Sequence, residues 1–315
     1  MMVCELVCGP PGSGKTTYCE GKRQLLHLID PSRSTILINL DPANDGIFPY
    51  PCDIDIRQLI TRSEVMQQHS LGPNGSYLYC IDSISRNLDW LKKEILKFTS
   101  SSTSPTFHHI IIDCPGQVEF YLNSNSMQSV LKMLQKDLRA TVCVLHLTDA
   151  TVGCRDVPTY ISTCLLSLSC LVDLELPHIN VMSKWDLVLQ QTSTPSSVGA
   201  CGIEEEDLDC FLATGEFKEN HLQRLWHKTV TNRSSSSSSV AKESQAGETD
   251  RKAGSSSEIG VRSKSTDQWF QFSCSVLEVV DGYGLVSFEP LDVQDETSMV
   301  ELMRKVDRAV GHFVM

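Results

Sequence analysis

Short apolar runs alternate with segments of helical periodicity along most of this 315-residue chain. The runs predicted as strands are rich in Val, Ile and Leu and are apolar on both faces: Val3–Cys8, Thr35–Leu40, Phe107–Asp113, Thr141–Leu147, His178–Met182 and Leu285–Phe288. The segments predicted as helices are Lys15–Leu28, Ser76–Phe98, Val118–Leu138, Pro158–Leu171 and Thr297–Phe313. Strands that are apolar on both faces are typical of parallel sheets covered by helices on each side. The pattern therefore predicts an α/β fold: a doubly wound, mostly parallel sheet with helices on both faces.

One long stretch lacks this alternation. Residues 229–265 contain six consecutive serines, Ser234–Ser239, with further Ser, Lys, Glu and Gly and almost nothing apolar. Such a segment cannot bury enough surface to offset the entropy that is lost when it orders. We predict a disordered Ser-rich insertion there, within a single domain that spans 1–315. The shorter Ser/Thr-rich stretch Thr99–Thr106 is predicted as a connecting loop.

The charge of the chain argues against nucleic acid as a direct ligand. It has 27 Lys and Arg against 39 Asp and Glu, a net charge of −12, whereas nucleic-acid-binding domains usually carry a basic surface. The most apolar stretch, Ile161–Leu176, is interrupted by polar residues and falls short of the about 18 to 20 apolar residues of a transmembrane helix. No basic segment with a cleavable apolar core precedes the first strand. We therefore expect no membrane segment, and a location in the cytoplasm or the nucleus.

The 13 cysteines are scattered, and no C-x-x-C pair occurs. Several of them, such as Cys8, Cys80, Cys143 and Cys164, lie inside apolar runs, where Cys behaves as a small hydrophobic residue. In an intracellular protein reduced thiols are the expected state. We expect these residues in the core rather than in disulfides or a metal site.

Residues Gly9-Pro-Pro-Gly-Ser-Gly-Lys-Thr16 match the phosphate-binding pattern G-x-x-x-x-G-K-[ST] between a predicted strand and a predicted helix. Glycines let the backbone turn so that successive N–H groups point at a polyphosphate. A helix that begins near Gly14 directs the positive end of its dipole at the same anion. Lys15 is predicted to bind the β and γ phosphates and Thr16 to bind Mg²⁺. The residues predicted to hold a nucleoside triphosphate are Gly12, Ser13, Gly14, Lys15, Thr16 and Thr17.

Further acidic and amide side chains follow the second and third strands. Asp113 ends the third strand, where a carboxylate is well placed to hold Mg²⁺. Gln117 and Glu119, after a flexible Gly116, are then available to orient an attacking water. Asp41, at the end of the second strand, is another candidate for Mg²⁺ or the water. Capping of a turn explains an aspartate at that point equally well.

The motif Ser183-Lys-Trp-Asp186 follows the fifth predicted strand. Asp186 can accept both N–H groups of a guanine edge, which adenine cannot match, while the stem of Lys184 covers the face of the base. The usual first residue of this guanine signature is Asn. Ser183 therefore leaves the contribution of this first position to selectivity open, but not the contact from Asp186.

Gly72-Pro73-Asn74 follows a helical segment, Asp55–His69, and on its own predicts only a turn. Together with Asp113-Cys-Pro-Gly-Gln-Val-Glu119, Asn39-Leu-Asp-Pro-Ala43 and Ser183-Lys-Trp-Asp186, it resembles the GPN-loop GTPases, a family of P-loop NTPases. The resemblance spans about residues 1–190 and resumes at Val276–Val310.

The resemblance implies a homodimer, or a heterodimer with paralogous GPN-loop GTPases, whose subunits face each other across the bound nucleotides. It implies that the GPN loop, residues 72–74, enters the partner's site, where Asn74 stabilises the charge that develops on the transferred phosphoryl group. A fixed uncharged donor can act there much as an arginine finger does. The backbone of Ser287–Leu291, with Pro290 and Leu291, is expected against the guanine. Residues 190–228 are expected to form partner-facing helices.

Three functions follow from these residues. The first is a GTP-hydrolysing switch with bound Mg²⁺, in which Lys15, Asn74, Gln117 and Glu119 are the catalytic residues. By the same resemblance it works with RNA polymerase subunits or assembly factors, in polymerase assembly or nuclear localisation. The alternatives are a P-loop nucleotide or polynucleotide kinase, and a nucleotide-holding scaffold with negligible turnover.

Overall fold

The structure, a computed structural model, describes residues 1–43, 48–99, 107–117, 121–122, 125–193, 208, 211–212, 226 and 255–312. The strands are β1 Met2–Cys8, β2 Ser34–Asn39, β3 Ile54–Asp55, β4 His108–Asp113, β5 Thr141–Asp149, β6 His178–Ser183 and β7 Phe288–Leu291. The helices are α1 Lys15–Ile29, α2 Arg62–His69, α3 Pro73–Arg86, α4 Leu88–Thr99, α5 Asn125–Lys132, α6 Ala150–Gly153, α7 Val157–Leu174, α8 Trp185–Ser193, α9 Ser255–Tyr283 and α10 Glu296–Ala309. A 3₁₀ turn, Ile56–Gln58, follows β3, and a π-helical turn, Met133–Asp137, continues α5.

The strands form one seven-stranded sheet in the order β3-β2-β4-β1-β5-β6-β7. Every pair of neighbours is parallel. β1 lies in the middle. β2 and β3 extend toward one edge, β4 returns to lie between β2 and β1, and β5, β6 and β7 extend in order to the other edge. The carboxyl ends of β1, β4 and β5 therefore meet where the strand order changes direction, which is where ligands bind in open α/β sheets. The predicted doubly wound P-loop fold is confirmed.

Side chains of β1 alternate between two hydrophobic cores, one on each face of the sheet. Cys4, Leu6 and Cys8 face a core that α3, α4 and α5 cover, whereas Val3 and Val7 face a core that α1 and α10 cover. Alternate residues of a strand point to opposite faces, so a strand that is apolar throughout can fill both cores.

One charged residue interrupts this apolar pattern. Glu5 is fully buried, and its carboxylate lies 2.9 Å from Lys22 Nζ and 2.7 Å from His109 Nε2. Tyr18 donates a hydrogen bond of 2.8 Å to its other oxygen. Burial raises the pKa of Glu5, but the charge of Lys22 and the contact with His109 outweigh burial and hold the pKa well below its ordinary value. A buried carboxylate is tolerated when it is paired and hydrogen-bonded in this way.

Local sequence sets several helix ends. Thr61 and Glu64 form a capping box at the start of α2. Asp295 accepts hydrogen bonds from the backbone N–H groups of Thr297 and Ser298 and begins α10. Gly72 precedes α3 and Pro73 is its first residue, where proline's missing N–H costs nothing. The GPN loop is therefore the first turn of a helix.

Several predicted elements differ from the structure; the predicted helical segment Asp55–His69, for example, is a 3₁₀ turn followed by α2. The single helix predicted over Ser76–Phe98 is two helices, because the backbone of Asn87 leaves the helical conformation and its side-chain amide bonds the carbonyl of Ser83. The last strand is Phe288–Leu291 rather than Leu285–Phe288, since pairing with β6 matches Asn180 to Phe288. β3 was not predicted, because two residues are too few to show a periodicity.

The predicted disordered insertion 229–265 is wrong at its end. Residues 255–265 form the first part of α9, because a helix extends at little cost once its following turns are formed. Residues 229–254 lie outside the described residues. Of the predicted helical insertion 190–228, the structure describes 190–193, at the end of α8, with 208, 211–212 and 226.

The single domain over 1–315 stays a prediction, and the chain divides into two compact units. One comprises Met1–Asp149, Ser169–Asp186 and Phe288–Met315, and the other Ala150–Leu168 and Leu187–Ser287. Among the described helices, α7 is the one whose length and composition alone would let it cross a membrane. This is a weak indication, because core helices of soluble proteins meet the same criterion and 44% of α7 is buried.

Candidate functional site

The loop between β1 and α1 has the backbone that its glycines allow. Gly9, Gly12 and Gly14 have φ angles of 139°, 79° and 81°, which side-chain-bearing residues rarely adopt. A Cβ atom on Gly9 would lie 2.0 Å from the carbonyl oxygen of Leu147. The loop is therefore held against the end of β5, with the N-terminus of α1 directed at its concave side.

Lys15, the first residue of α1, closes the loop. Its Nζ donates to the carbonyl oxygens of Gly9 and Pro10, each at 2.9 Å. Burial lowers the pKa of Lys15, and the carboxylates of Asp113 and Asp41 oppose that shift. The ammonium thus lies at the concave side of the loop, where a phosphate would be bound.

Thr16 and Asp113 meet beside the phosphate loop. The hydroxyl of Thr16 donates to Asp113 Oδ2 at 2.8 Å, and the hydroxyl of Tyr50 donates to the same oxygen at 3.0 Å. Burial raises the pKa of Asp113, although both hydrogen bonds oppose the shift. Tyr50 was not predicted, since a tyrosine outside a motif carries no signal of this contact.

The pair of Thr16 and Asp113 fits Mg²⁺. Hard oxygen ligands suit this ion, which commonly takes one or two protein carboxylates and completes its shell with phosphates and water. No group of three or more His, Cys, Asp or Glu in the described part of the chain could hold a metal ion by itself. A metal here would therefore depend on the phosphates of the nucleotide.

Asp41 caps the turn after β2, which is one of the two roles that the sequence left open, and its role toward Mg²⁺ or water stays a prediction. Its Oδ1 accepts a hydrogen bond of 2.9 Å from the backbone N–H of Ala43, which caps the turn after β2. Its charge also acts on Lys15 and Asp113. Asp41 thus faces the phosphate loop while it shapes the backbone that follows it.

Gly116 lies against the phosphate loop. A Cβ atom at this position would lie 3.0 Å from Cα of Pro11, so a side chain here would push against the backbone of the phosphate loop. Gln117, which follows, is exposed. Glu119, the other residue predicted to orient water, lies outside the described residues.

The predicted guanine residues lie at the ends of β6 and β7. Ser183 pairs in register with Leu291, and Met182 pairs with Pro290. Lys184 has a φ of 58°, and its Nζ lies 2.6 Å from Asp149 Oδ2. Asp186 is half-buried in the first turn of α8.

Ser183 contacts the phosphate loop. Its Oγ lies 2.7 Å from the carbonyl oxygen of Ser13 and 3.1 Å from that of Thr148. The hydroxyl thereby joins the loop to the ends of β5 and β6. The sequence left the contribution of this position to guanine selectivity open, and in the structure its hydroxyl contacts the loop.

Asn74 is separate from these residues. It is exposed in the first turn of α3, and none of the hydrogen bonds described for this chain joins it to the phosphate loop. Tyr77, one turn further along α3, is buried, and Asp41 and burial raise its pKa. The helix that carries Asn74 is thus anchored near Asp41 while Asn74 itself faces outward.

The chain matches known proteins over nearly its whole length. A family model described as "Conserved hypothetical ATP binding protein" matches residues 7–312. GPN-loop GTPase 2 of Schizosaccharomyces pombe is 34% identical over 99% of this chain and 81% of its own length. GPN-loop GTPase QQT1 of Arabidopsis thaliana is 34% identical over 99% of this chain and 86% of its own length.

The fold also matches a solved structure. The crystal structure of a GTPase in apo form from Pyrococcus abyssi has a TM-score of 0.63 against this chain and covers 98% of both chains. The two sequences are 17% identical, so this likeness concerns the fold alone.

Proposed function

This chain belongs to the GPN-loop GTPase family, and we propose that it binds GTP with Mg²⁺ and hydrolyses it to GDP and phosphate as a molecular switch. The observation that carries the proposal is the contact of 2.8 Å between Thr16 and Asp113, beside the Lys15 ammonium and the phosphate loop. These groups supply an anion cradle and oxygen ligands for a divalent ion at one edge of the sheet.

Each of the predicted residues has a role in binding or hydrolysing the nucleotide. Lys15 and the backbone from Gly12 to Thr17 hold the phosphates, and Thr16 and Asp113 hold Mg²⁺, with Asp41 as a further carboxylate. The ion would neutralise the charge that develops on the phosphate oxygens. Gln117 and Glu119 orient the attacking water. Loss of the γ phosphate then releases the backbone after Asp41 and after Gly116.

The choice between guanine and adenine requires its own test, because the family model's description names ATP and the relatives' names specify GTP. Asp186 accepts from the two N–H groups of guanine. Xanthine has a carbonyl where guanine has the amino group, so an amide side chain matches it better than a carboxylate.

We expect Asp186→Asn to lower the affinity for GTP by about 100-fold and to raise the affinity for the xanthine triphosphate. Titration calorimetry with GTP, ATP and the xanthine triphosphate measures this, with Lys15→Ala as the variant that loses all three. Equal affinity of the wild-type protein for GTP and ATP would overturn the guanine assignment. Transfer of phosphate to a nucleotide instead of its release would indicate a kinase.

We also propose that the working form is a dimer, either of two copies or with a paralogous GPN-loop GTPase, in which Asn74 acts on the partner's nucleotide. The exposure of Asn74 in the first turn of α3 supports this, since the side chain is available to a second molecule. A role in the assembly or nuclear localisation of RNA polymerase rests on the family resemblance alone. Affinity purification of the tagged chain with GTP or GDP, followed by mass spectrometry, tests the pairing with a paralogue and the link to RNA polymerase. Failure to recover a paralogue counts against the heterodimer, and failure to recover a polymerase subunit counts against the role in polymerase assembly.

A further inference from the structure

Tyr50 contacts the metal-binding carboxylate from outside every sequence motif. Its side chain is buried, with 4% of its surface exposed. Its hydroxyl donates to Asp113 Oδ2 at 3.0 Å, the oxygen that Thr16 also contacts at 2.8 Å. Both of these hydrogen bonds end on one oxygen, so the carboxylate is held in one orientation with Oδ1 as its other acceptor.

The backbone around Tyr50 is itself fixed. The ring stacks on Phe48 with 5.1 Å between centroids, and the guanidinium of Arg57 lies 4.4 Å above the Phe48 ring. Further along, Asp53 exchanges two hydrogen bonds with Leu37 of β2, at 2.8 and 3.0 Å. Residues 48–53, hereafter the 48–53 segment, are therefore anchored to β2 at one end and to Asp113 in the middle.

A bound metal ion would leave the hydrogen of the Thr16 hydroxyl in place. A hydroxyl that coordinates an ion through an oxygen lone pair keeps its O–H group, which could still donate to Asp113 Oδ2. Tyr50 is the second donor to the same oxygen, and it lies outside the phosphate loop. Partners of this kind orient metal-binding carboxylates in many proteins.

We infer that Tyr50 is a positioning residue: it orients Asp113 for Mg²⁺ and ties the 48–53 segment to the occupancy of the metal site. The inference rests on the proposed function, because it requires Mg²⁺ to be bound with the nucleotide.

Tyr50→Phe removes only the hydroxyl. We expect about tenfold more Mg²⁺ to be needed for half-maximal retention of a fluorescent GDP analogue, a loss typical of a group that orients a metal ligand. Affinity for the analogue in EDTA should stay unchanged. Hydrogen–deuterium exchange of the 48–53 segment with Mg²⁺ and GDP present should become faster.

Tyr18→Phe is the matched control. It also removes a buried phenol hydroxyl, the one that bonds Glu5 at 2.8 Å, and it leaves Asp113 untouched. We expect the Mg²⁺ requirement and the exchange of the 48–53 segment to be those of the wild-type protein, whatever happens to the melting temperature.

The inference is overturned if Tyr50→Phe needs no more Mg²⁺ than the wild-type protein, or if Tyr18→Phe shifts the requirement equally. Should Tyr50→Phe not fold, Phe48→Leu, which loosens the stacked ring, should raise the Mg²⁺ requirement by a smaller factor, and an unchanged requirement would again overturn it. A wild-type protein that retains GDP independently of Mg²⁺ would instead contradict the proposed metal site.

Discussion

At the scale of single residues, Ser183 has a shorter side chain than the Asn that usually begins this motif, and it contacts the phosphate loop. Its hydroxyl reaches both the carbonyl of Ser13 in the loop and that of Thr148 at the end of β5. Because β6 lies beside β5, which lies beside β1, this one side chain joins the ends of two strands to the loop. These two contacts indicate that Ser183 helps to fix the loop.

We therefore expect Ser183→Ala to weaken the binding of GDP by about fivefold, the effect of one net hydrogen bond of about 1 kcal/mol. The preference for GDP over ADP should stay the same, because Asp186 is unchanged. Titration calorimetry with both nucleotides measures this. A variant that keeps its affinity but loses its preference would assign Ser183 to base recognition instead.

At the scale of elements, β5 and β6 carry histidines that the sequence pattern treats as ordinary strand positions. His146 is fully buried and His178 is half-buried, and their rings lie 5.9 Å apart between centroids. Burial lowers the pKa of His146 to about 3 and that of His178 to about 4. Both are therefore neutral in the folded protein at pH values where the unfolded chain would protonate them.

This difference makes stability depend on pH. The folded pKa values lie below the ordinary value of 6.5. The contribution of the two histidines to the free energy of unfolding is therefore fully present above about pH 6.5 and is lost as the pH falls toward 4. Each histidine contributes up to about 1.4 kcal/mol per pH unit. Protonation of Glu5 lowers the stability only at pH values below its ordinary pKa of 4.5, which is a separate pH range.

Urea unfolding between pH 7.5 and 5 tests this prediction. The free energy of unfolding of the wild-type protein should fall as the pH is lowered across this range. In His178→Gln it should fall less steeply, because one of the two histidines no longer contributes to the dependence on pH. An equal slope in the variant and the wild-type protein would show that His178 is protonated in the folded state.

At the scale of the whole molecule, no hydrogen bond among the described residues joins Asn74 to the phosphate loop of its own chain. A composite site of two copies predicts complementation between two inactive variants. Lys15→Ala cannot hold nucleotide but presents an intact Asn74, whereas Asn74→Ala holds nucleotide but presents no donor.

A mixture of the two variants in equal amounts should regain about a quarter of the wild-type hydrolysis rate, because random pairing gives half mixed dimers with one complete site each. Each variant alone should stay at least about 100-fold below the wild-type rate, the usual loss on removal of one transition-state donor. Phosphate release measures this, and no recovery on mixing would contradict the action of Asn74 across the dimer.

Much of the fold and the candidate site could be predicted from patterns of a few neighbouring residues. The apolar runs predicted six of the seven strands, with the last displaced by a few residues, and the motif at Gly9–Thr16 predicted the loop and its lysine. The short β3 and the helical start of α9 could not be predicted, because they depend on strand pairing and on helix propagation beyond the local pattern. The break at Asn87 comes from a local hydrogen bond to Ser83 that the apolar periodicity does not show.

The sequence by itself determined the phosphate loop, since its glycines, lysine and threonine are contiguous and their conformation depends on immediate neighbours. Only the tertiary structure decided which residues support it. Tyr50 and Asp113 are 63 residues apart, and Ser183 and Ser13 are 170 apart. Such contacts follow from the order of the strands in the sheet, which brings distant carboxyl ends together and which no local pattern encodes.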